Sequence, residues 1–95
     1  MKCIDSLKDF VAHSDRVQTV LRHRGRRDVY LVGGTVRDIV LGIRPKDYDF
    51  AVSGSGITFA RRFAQKTGGA FVLLSTADDE ARVVVDDTIY DFIGT

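Results

Sequence analysis

Two aspartates, Asp47 and Asp49, are the residues of this sequence best suited to chemistry. They alternate with Tyr48 and Phe50, and successive side chains of a strand face opposite ways. Both carboxylates therefore share one face, where like charges repel and disfavour folding unless a cation lies between them. Proteins hold Mg²⁺ with a few carboxylates plus substrate phosphates. The pair predicts a metal-dependent site for phosphoryl or nucleotidyl transfer.

A glycine pair, Gly33 and Gly34, lies between an apolar run and a short helical pattern. Such a turn lets the backbone approach a ligand and leaves amide donors at the positive end of a helix dipole, which favours phosphate. Arg37 is expected in the first turn of that helix, where a cation is unfavourable, so phosphate binding explains it better than helix propensity. A surface arginine, or one paired with a carboxylate, is the alternative. Asp38 is expected to cap the helix or to hold Arg37.

A third carboxylate on a neighbouring strand usually completes such a site. Asp91 is the candidate, because it alternates with Tyr90 and Phe92 in the last predicted strand. Asp86 and Asp87 have the pattern of turn residues.

The elements that position these residues follow from hydrophobic periodicity. The first half of the chain is predicted to form a helix from Ile4 to about Arg22, a strand over 29–32 covered on both faces, a helix that Thr35 opens and Gly42 ends, and a strand over 47–52. A further helix follows, with Ile57, Ala60, Phe63 and Ala64 buried. The last three strands, over 70–74, 82–85 and 88–93, are predicted to form an antiparallel meander. Thr35 and Asp38 have the spacing of a capping box. Together these elements predict an α+β domain with a mixed sheet of about five strands packed by helices.

Composition favours one small soluble globular domain, with 95 residues, 44% hydrophobic and 28% charged. No apolar run has the length of a membrane span, so no membrane partner is expected and a cytoplasmic location is the default. The single cysteine, Cys3, is expected to be a reduced, half-buried helix residue without a chemical role.

Charge is unevenly distributed along the chain. Residues 1–46 carry a net charge of +5, which suits phosphate partners, and residues 47–95 carry −4, which suits metal ions. The four arginines between Arg22 and Arg27 form a basic cluster, and we expect either a solvated helix end or a contact with RNA phosphates.

The motif GGTVRD at 33–38, followed after a short helix by DYDF at 47–50, resembles the head domain of the tRNA nucleotidyltransferase (CCA-adding) and bacterial poly(A) polymerase family. That family belongs to the DNA polymerase β-like nucleotidyltransferases. The segment 30–32, Leu41, Gly42 and Lys46 also fit, and a looser match extends to Phe92.

The resemblance implies that Asp47 and Asp49 hold catalytic Mg²⁺ and that Gly33, Gly34 and Arg37, with Asp38 beside them, bind the triphosphate of ATP or CTP. The 3′ hydroxyl of an RNA, such as a tRNA, would attack the α-phosphate and release pyrophosphate, either in CCA addition or in polyadenylation. Asp91 lies where the family has an aspartate in its last head strand.

In the family, the head continues into neck, body and tail regions that select the nucleotide and grip tRNA. Residues 1–95 are therefore expected to form a single head domain that stops before those regions and is incomplete as an isolated fragment.

Two other interpretations stay open at the level of sequence. Gly54-Ser55-Gly56 between a strand and a helix could bind a dinucleotide without catalysis, although Phe59 occupies the place of the third glycine. Alternatively, the last strand could lie at the sheet edge and pair with another copy of the chain.

Overall fold

Four helices and five strands make up the part of the chain that the structure describes. The computed structural model describes the backbone of residues 3–95 and the side chains from Lys8 onward. In chain order the elements are α1 Cys3–His13, α2 Asp15–Arg22, β1 Val29–Leu31, α3 Gly33–Val40, β2 Asp47–Val52, α4 Gly56–Thr67, β3 Ala70–Ser75, β4 Glu80–Val85 and β5 Thr88–Gly94. This confirms the predicted α+β class.

The strands form one mixed sheet in the order β1-β2-β5-β4-β3. Only the pair β2 and β5 is parallel, whereas β1 with β2, β5 with β4 and β4 with β3 are antiparallel. The predicted meander over the last three strands and the predicted count of about five strands are both correct.

The core lies on one face of the sheet, beneath the helices. Aromatic side chains of β2, β5 and α4 meet there, and Phe50, Phe63 and Phe92 are almost fully buried. Phe59, in addition to the predicted Phe63, stacks in this layer. Burial of these rings drives the sheet and α4 together.

The prediction of a single helix from Ile4 to about Arg22 is wrong, because the chain forms two helices that are separated at Ser14. The Ser14 side chain accepts a hydrogen bond from the Val17 amide at 3.3 Å and so caps α2, and Asp15 adds an acid to its first turn. The apolar spacing alone concealed the break, although a serine followed by an acid is a helix-start signal.

The strand β1 is an edge strand, not one covered on both faces as predicted. Its Tyr30 side chain is 56% exposed. The predicted edge position of the last strand is also wrong, because β5 lies between β2 and β4 and already has hydrogen-bonding partners on both sides. Pairing of that strand with another copy is therefore excluded.

No helix in the described range is both long and apolar enough to cross a membrane. Cys3 does lie in α1, but its side chain is outside the described residues, so its predicted burial stays a prediction.

Candidate nucleotidyl-transfer site

The two central aspartates lie on the face of the sheet opposite the core. In β2, Tyr48 and Phe50 are buried, whereas Asp47 is exposed and Asp49 half-buried. The predicted alternation is confirmed, and the aromatic neighbours hold the strand in the register that directs both carboxylates outward.

Parallel pairing brings Asp91 beside this pair. Asp49 lies opposite Asp91 in the register of β2 and β5, and partners in a ladder share a face. The next strand places Arg82 opposite Asp91. One row across the sheet therefore reads Asp49, Asp91, Arg82, with Asp47 two residues before Asp49.

The helix α3 begins at Gly33, two residues before the predicted start. Its N-cap is Val32, which offers no side-chain hydrogen bond, so the predicted capping box of Thr35 and Asp38 is wrong. Gly33 has φ +63°, a conformation that glycine adopts without strain. Val32 therefore gives the first turn no N-cap hydrogen bond, and the Gly34 backbone instead hydrogen-bonds to the Asp49 carboxyl.

Thr35 has a different role, since it is buried and ties α3 to β2. Its hydroxyl donates to the Asp47 carbonyl oxygen at 3.1 Å and accepts from the Asp49 amide at 2.7 Å. The backbone of both aspartates is thereby fixed to the helix that starts with the glycine pair.

Arg37 lies in the last turn of α3, so its predicted first-turn position is wrong and the argument from an unfavourable dipole does not apply. Side chains on a helix lean toward its N-terminus, and the guanidinium therefore still reaches Gly34. A methyl group added at Gly34 would lie 3.2 Å from Arg37 Nη2. Asp38 Oδ1 is 3.6 Å from Arg37 Nε, and the Arg37 side chain is 71% exposed, so the structure shows a surface arginine loosely paired with a carboxylate, and its contact with a phosphate stays a prediction.

Asp91 is not free beside Asp49, because Arg82 binds both of its oxygens. Arg82 Nε donates to Oδ1 at 2.7 Å and Nη2 donates to Oδ2 at 3.1 Å. Among the side chains that the structure describes, no three acidic, histidine or cysteine groups are arranged to hold one metal ion. Arg82 is a site residue that sequence reasoning missed. Its alternation with buried Ala81 and Val83 indicated the outward face but not its partner.

Burial and like charge raise the pKa of the Asp49 carboxyl. Partial burial contributes most, followed by the negative charges of Asp91 and Asp47, while Arg82 and a hydrogen bond from the Gly34 backbone oppose the shift. A cation at this carboxyl would relieve the same repulsion.

Basic side chains line two grooves that meet at Asp47. The groove beside α3 is lined by Gly34, Thr35, Arg37, Asp38, Ile43, Arg44, Lys46, Asp47 and Asp49. A second groove, which shares Arg44, Lys46 and Asp47 with the first, is lined by Arg16, Arg44, Pro45, Lys46, Asp47, Tyr48, Asp87, Thr88 and Ile89. The Arg16 guanidinium is anchored there, because Nε donates to the hydroxyl of buried Thr88 at 2.8 Å. Both grooves beside the exposed Asp47 therefore carry cations.

The arginine cluster between Arg22 and Arg27 is remote from this site. It precedes Val29, which pairs with Val52 at the end of β2 farthest from Asp47. Arg27 has a structural contact, as its Nη1 donates to the Ser55 carbonyl at 2.6 Å. An RNA contact of the other arginines stays a prediction.

The turn Gly54-Ser55-Gly56 is contacted by Asp79, which lies in the turn between β3 and β4. Its carboxylate accepts from the Ser55 hydroxyl and from the amides of Gly56 and Ile57, at 2.9, 3.0 and 3.2 Å. The amide of Ile57, the Ser55 hydroxyl and the amide of Gly56 lower the pKa of Asp79. A dinucleotide pyrophosphate would need these same donors, so the structure argues against that interpretation.

Comparison with known proteins places the chain in a family. Residues 29–93 match the family model of the poly A polymerase head domain. The A-adding tRNA nucleotidyltransferase of Halalkalibacterium halodurans is 34% identical over 74 residues, which cover 68% of this chain and 17% of the relative. The CC-adding tRNA nucleotidyltransferase of Synechocystis is 42% identical over 64 residues, which cover 65% of this chain and 15% of the relative.

A solved tRNA nucleotidyltransferase, complexed with a primer tRNA and an incoming ATP analogue, superposes with a TM-score of 0.69 at 27% identity over 81% of this chain and 22% of that chain. The chain thus spans less than a quarter of the length of these three proteins. Its mixed sheet and helices have the polymerase β-like nucleotidyltransferase fold. The matched segment includes the glycine turn, both strand aspartates and Asp91, and the chain belongs to the family of poly A polymerase head domains.

Proposed function

We propose that this chain is the catalytic head of an RNA nucleotidyltransferase, which transfers AMP or CMP from ATP or CTP to the 3′ end of an RNA. The observation that carries the proposal is the position of Asp47 and Asp49 on one face of β2, tied through Thr35 to the glycine start of α3. The matched relatives are named A-adding and CC-adding tRNA nucleotidyltransferases, which favours tRNA as the RNA and end addition over polyadenylation.

Asp47 and Asp49 would hold Mg²⁺. The donors fit this ion, since they are hard carboxylate oxygens whose mutual repulsion and partial burial make a cation favourable. When bound, Mg²⁺ would stabilise negative charge on the phosphates and on the attacking oxygen. Thr35 fixes the backbone of both aspartates, so the two carboxylates keep their relative positions.

The nucleotide triphosphate would lie in the groove beside α3. Val32 gives the first turn of α3 no N-cap hydrogen bond, and the helix dipole favours an anion there, where the Gly34 backbone already hydrogen-bonds to the Asp49 carboxyl. The Arg37 guanidinium lies close to Gly34 and can donate to the same phosphates, and Asp38 lies 3.6 Å from its Nε. Gly33 and Gly34 allow the phosphates to approach the backbone closely, because neither carries a side chain.

The RNA end would lie in the second groove, where Arg16, Arg44 and Lys46 can bind backbone phosphates. Both grooves meet at Asp47, which brings the two substrates together there. The oxygen of the RNA 3′ hydroxyl forms the new bond to the α-phosphorus, and the bond from that phosphorus to the oxygen bridging to the β-phosphate breaks, so that pyrophosphate is released. The hydroxyl proton passes to solvent water.

The experiment compares Asp47→Asn and Asp49→Asn with Asp78→Asn, an exposed turn aspartate that serves as a matched control. Mg²⁺-dependent binding of ATP and CTP to the chain is titrated, and incorporation of labelled nucleotide into tRNA that lacks its 3′ end is measured. Loss of a metal ligand should slow incorporation by at least about a hundredfold. Full activity of either site variant, or wild-type protein that binds neither nucleotide in Mg²⁺, would contradict the proposal.

A further inference from the structure

The ion pair between Arg82 and Asp91 bears directly on the proposed metal site. Its two hydrogen bonds, at 2.7 and 3.1 Å, occupy both oxygens of Asp91. The Asp91 side chain is only 12% exposed and that of Arg82 35%, so solvent screens the pair less than it would a pair on the open surface. Asp91 is thereby fixed in one geometry beside Asp49.

Arg82 also changes the charge that a cation would meet. Asp47, Asp49 and Asp91 would together present three negative charges on adjacent positions of two strands. The guanidinium offsets one of them, and its positive charge acts on Asp47 and Asp49 as well as on Asp91. The site that remains for a metal ion consists of two carboxylates.

We propose that Arg82 withholds Asp91 from the divalent cation, so that Asp47 and Asp49 bind the metal weakly until nucleotide phosphates supply further ligands. The inference rests on the proposed function, because it assumes that these two aspartates hold a metal. Arg82 is then a positioning residue that makes metal binding depend on the nucleotide. The affinity of carboxylate sites rises with the number of charged ligands, which gives this arrangement a measurable consequence.

The test is titration of Mn²⁺ alone, without nucleotide, with free Mn²⁺ followed by electron paramagnetic resonance. Arg82→Gln releases Asp91 and should tighten Mn²⁺ binding by about tenfold, as expected when a third carboxylate joins the site. Arg82→Lys keeps the charge but loses the bidentate geometry, and a smaller tightening is expected. The double variant Arg82→Gln/Asp91→Asn should return to wild-type affinity. Arg62→Gln, on the exposed side of α4, is the matched control.

Folding of each variant is checked by circular dichroism and a cooperative unfolding transition. Unchanged or weaker Mn²⁺ binding, in whichever of Arg82→Gln and Arg82→Lys is folded, overturns the inference. A tightening that persists in the double variant also overturns it, since Asp91 would not be the added ligand. Failure of the proposed function has a different signature, namely wild-type protein that binds no nucleotide even with Mn²⁺ present.

Discussion

The hydroxyl of Thr35 accepts a hydrogen bond from the backbone amide of Asp49 at 2.7 Å and donates one to the carbonyl oxygen of Asp47. Thr35 is almost completely buried, with 1% of its surface exposed. A single hydroxyl therefore sets the distance between the glycine start of α3 and the aspartates of β2. Side chains that would bind phosphate and metal are held in one rigid unit by this contact.

Thr35→Val keeps the shape of the side chain and removes both hydrogen bonds. A buried amide and carbonyl lose their partner, so the free energy of unfolding should fall by about 1–3 kcal/mol. Chemical denaturation measures this loss. Thr58→Val, at an exposed position of α4, is the control and should change stability by less than about 0.5 kcal/mol. Equal stability of the two variants would show that the Thr35 hydroxyl contributes nothing.

Gly33→Ala separates backbone strain from ligand binding when it is compared with Gly25→Ala. The two glycines have φ +63° and +61°, so each alanine should cost about 1–2 kcal/mol of stability. A methyl group at Gly33 would also lie 3.4 Å from Asp49 Oδ2, whereas one at Gly25 meets no atom within 4 Å. Only Gly33→Ala should weaken Mg²⁺-dependent ATP binding in a titration. Equal binding by both variants would contradict a phosphate at this turn.

Asp49→Asn should make the metal-free protein more stable at neutral pH. The pKa of Asp49 is raised in the folded state above its ordinary 3.8, so the folded form binds the proton more tightly than the unfolded form. The free energy of unfolding therefore falls as the pH rises from 3.8 through the raised pKa of the folded state. Removal of the charge abolishes this loss. Chemical denaturation from pH 3 to 8 should show that the variant exceeds wild type in free energy of unfolding most at pH values above the raised pKa, and that the difference vanishes toward pH 3.8. A variant less stable than wild type at pH 7 would refute this assignment.

Asp79→Asn should act in the opposite direction. In the folded protein the pKa of Asp79 is lowered by the amide of Ile57, the Ser55 hydroxyl and the amide of Gly56. The ionised carboxylate therefore stabilises the fold fully above pH 3.8, the ordinary pKa of the group. This stabilisation is lost as the pH falls through the lower pKa of the folded state. Asparagine tolerates the φ of +53° at this position, so backbone strain does not contribute, and the comparison reports the charge together with one acceptor oxygen that asparagine lacks. The same pH series should show a less stable variant at pH 7 that approaches wild type in acid. A pH-independent difference would mean that the charge is not the cause.

Arg16→Gln should weaken RNA binding more than nucleotide binding if the second groove holds the RNA end, because Arg16 lines that groove and not the one beside α3. Removal of one phosphate contact should lower the slope of log affinity against log salt by about one unit. Titrations of tRNA and of ATP at several salt concentrations measure both effects. The control is again Arg62→Gln, remote from both grooves. A greater loss of ATP binding than of tRNA binding would contradict an RNA end in the second groove.

Local patterns were sufficient for much of the site. Alternation of Asp47 and Asp49 with Tyr48 and Phe50 identified the strand and the shared face, because the period of a strand is fixed by its geometry. The glycine pair located the helix start to within two residues. The break at Ser14 was missed, because apolar spacing continues across a capped junction without interruption.

The sequence by itself determined which residues face away from the core and which chemistry they favour. Only the tertiary structure decided that Asp91 lies beside Asp49, that Arg82 binds it and that Asp79 caps α4. The reason is physical. Side-chain alternation depends on neighbours along the chain, whereas strand order and register depend on how distant segments bury their aromatic faces together, which no short window of sequence contains.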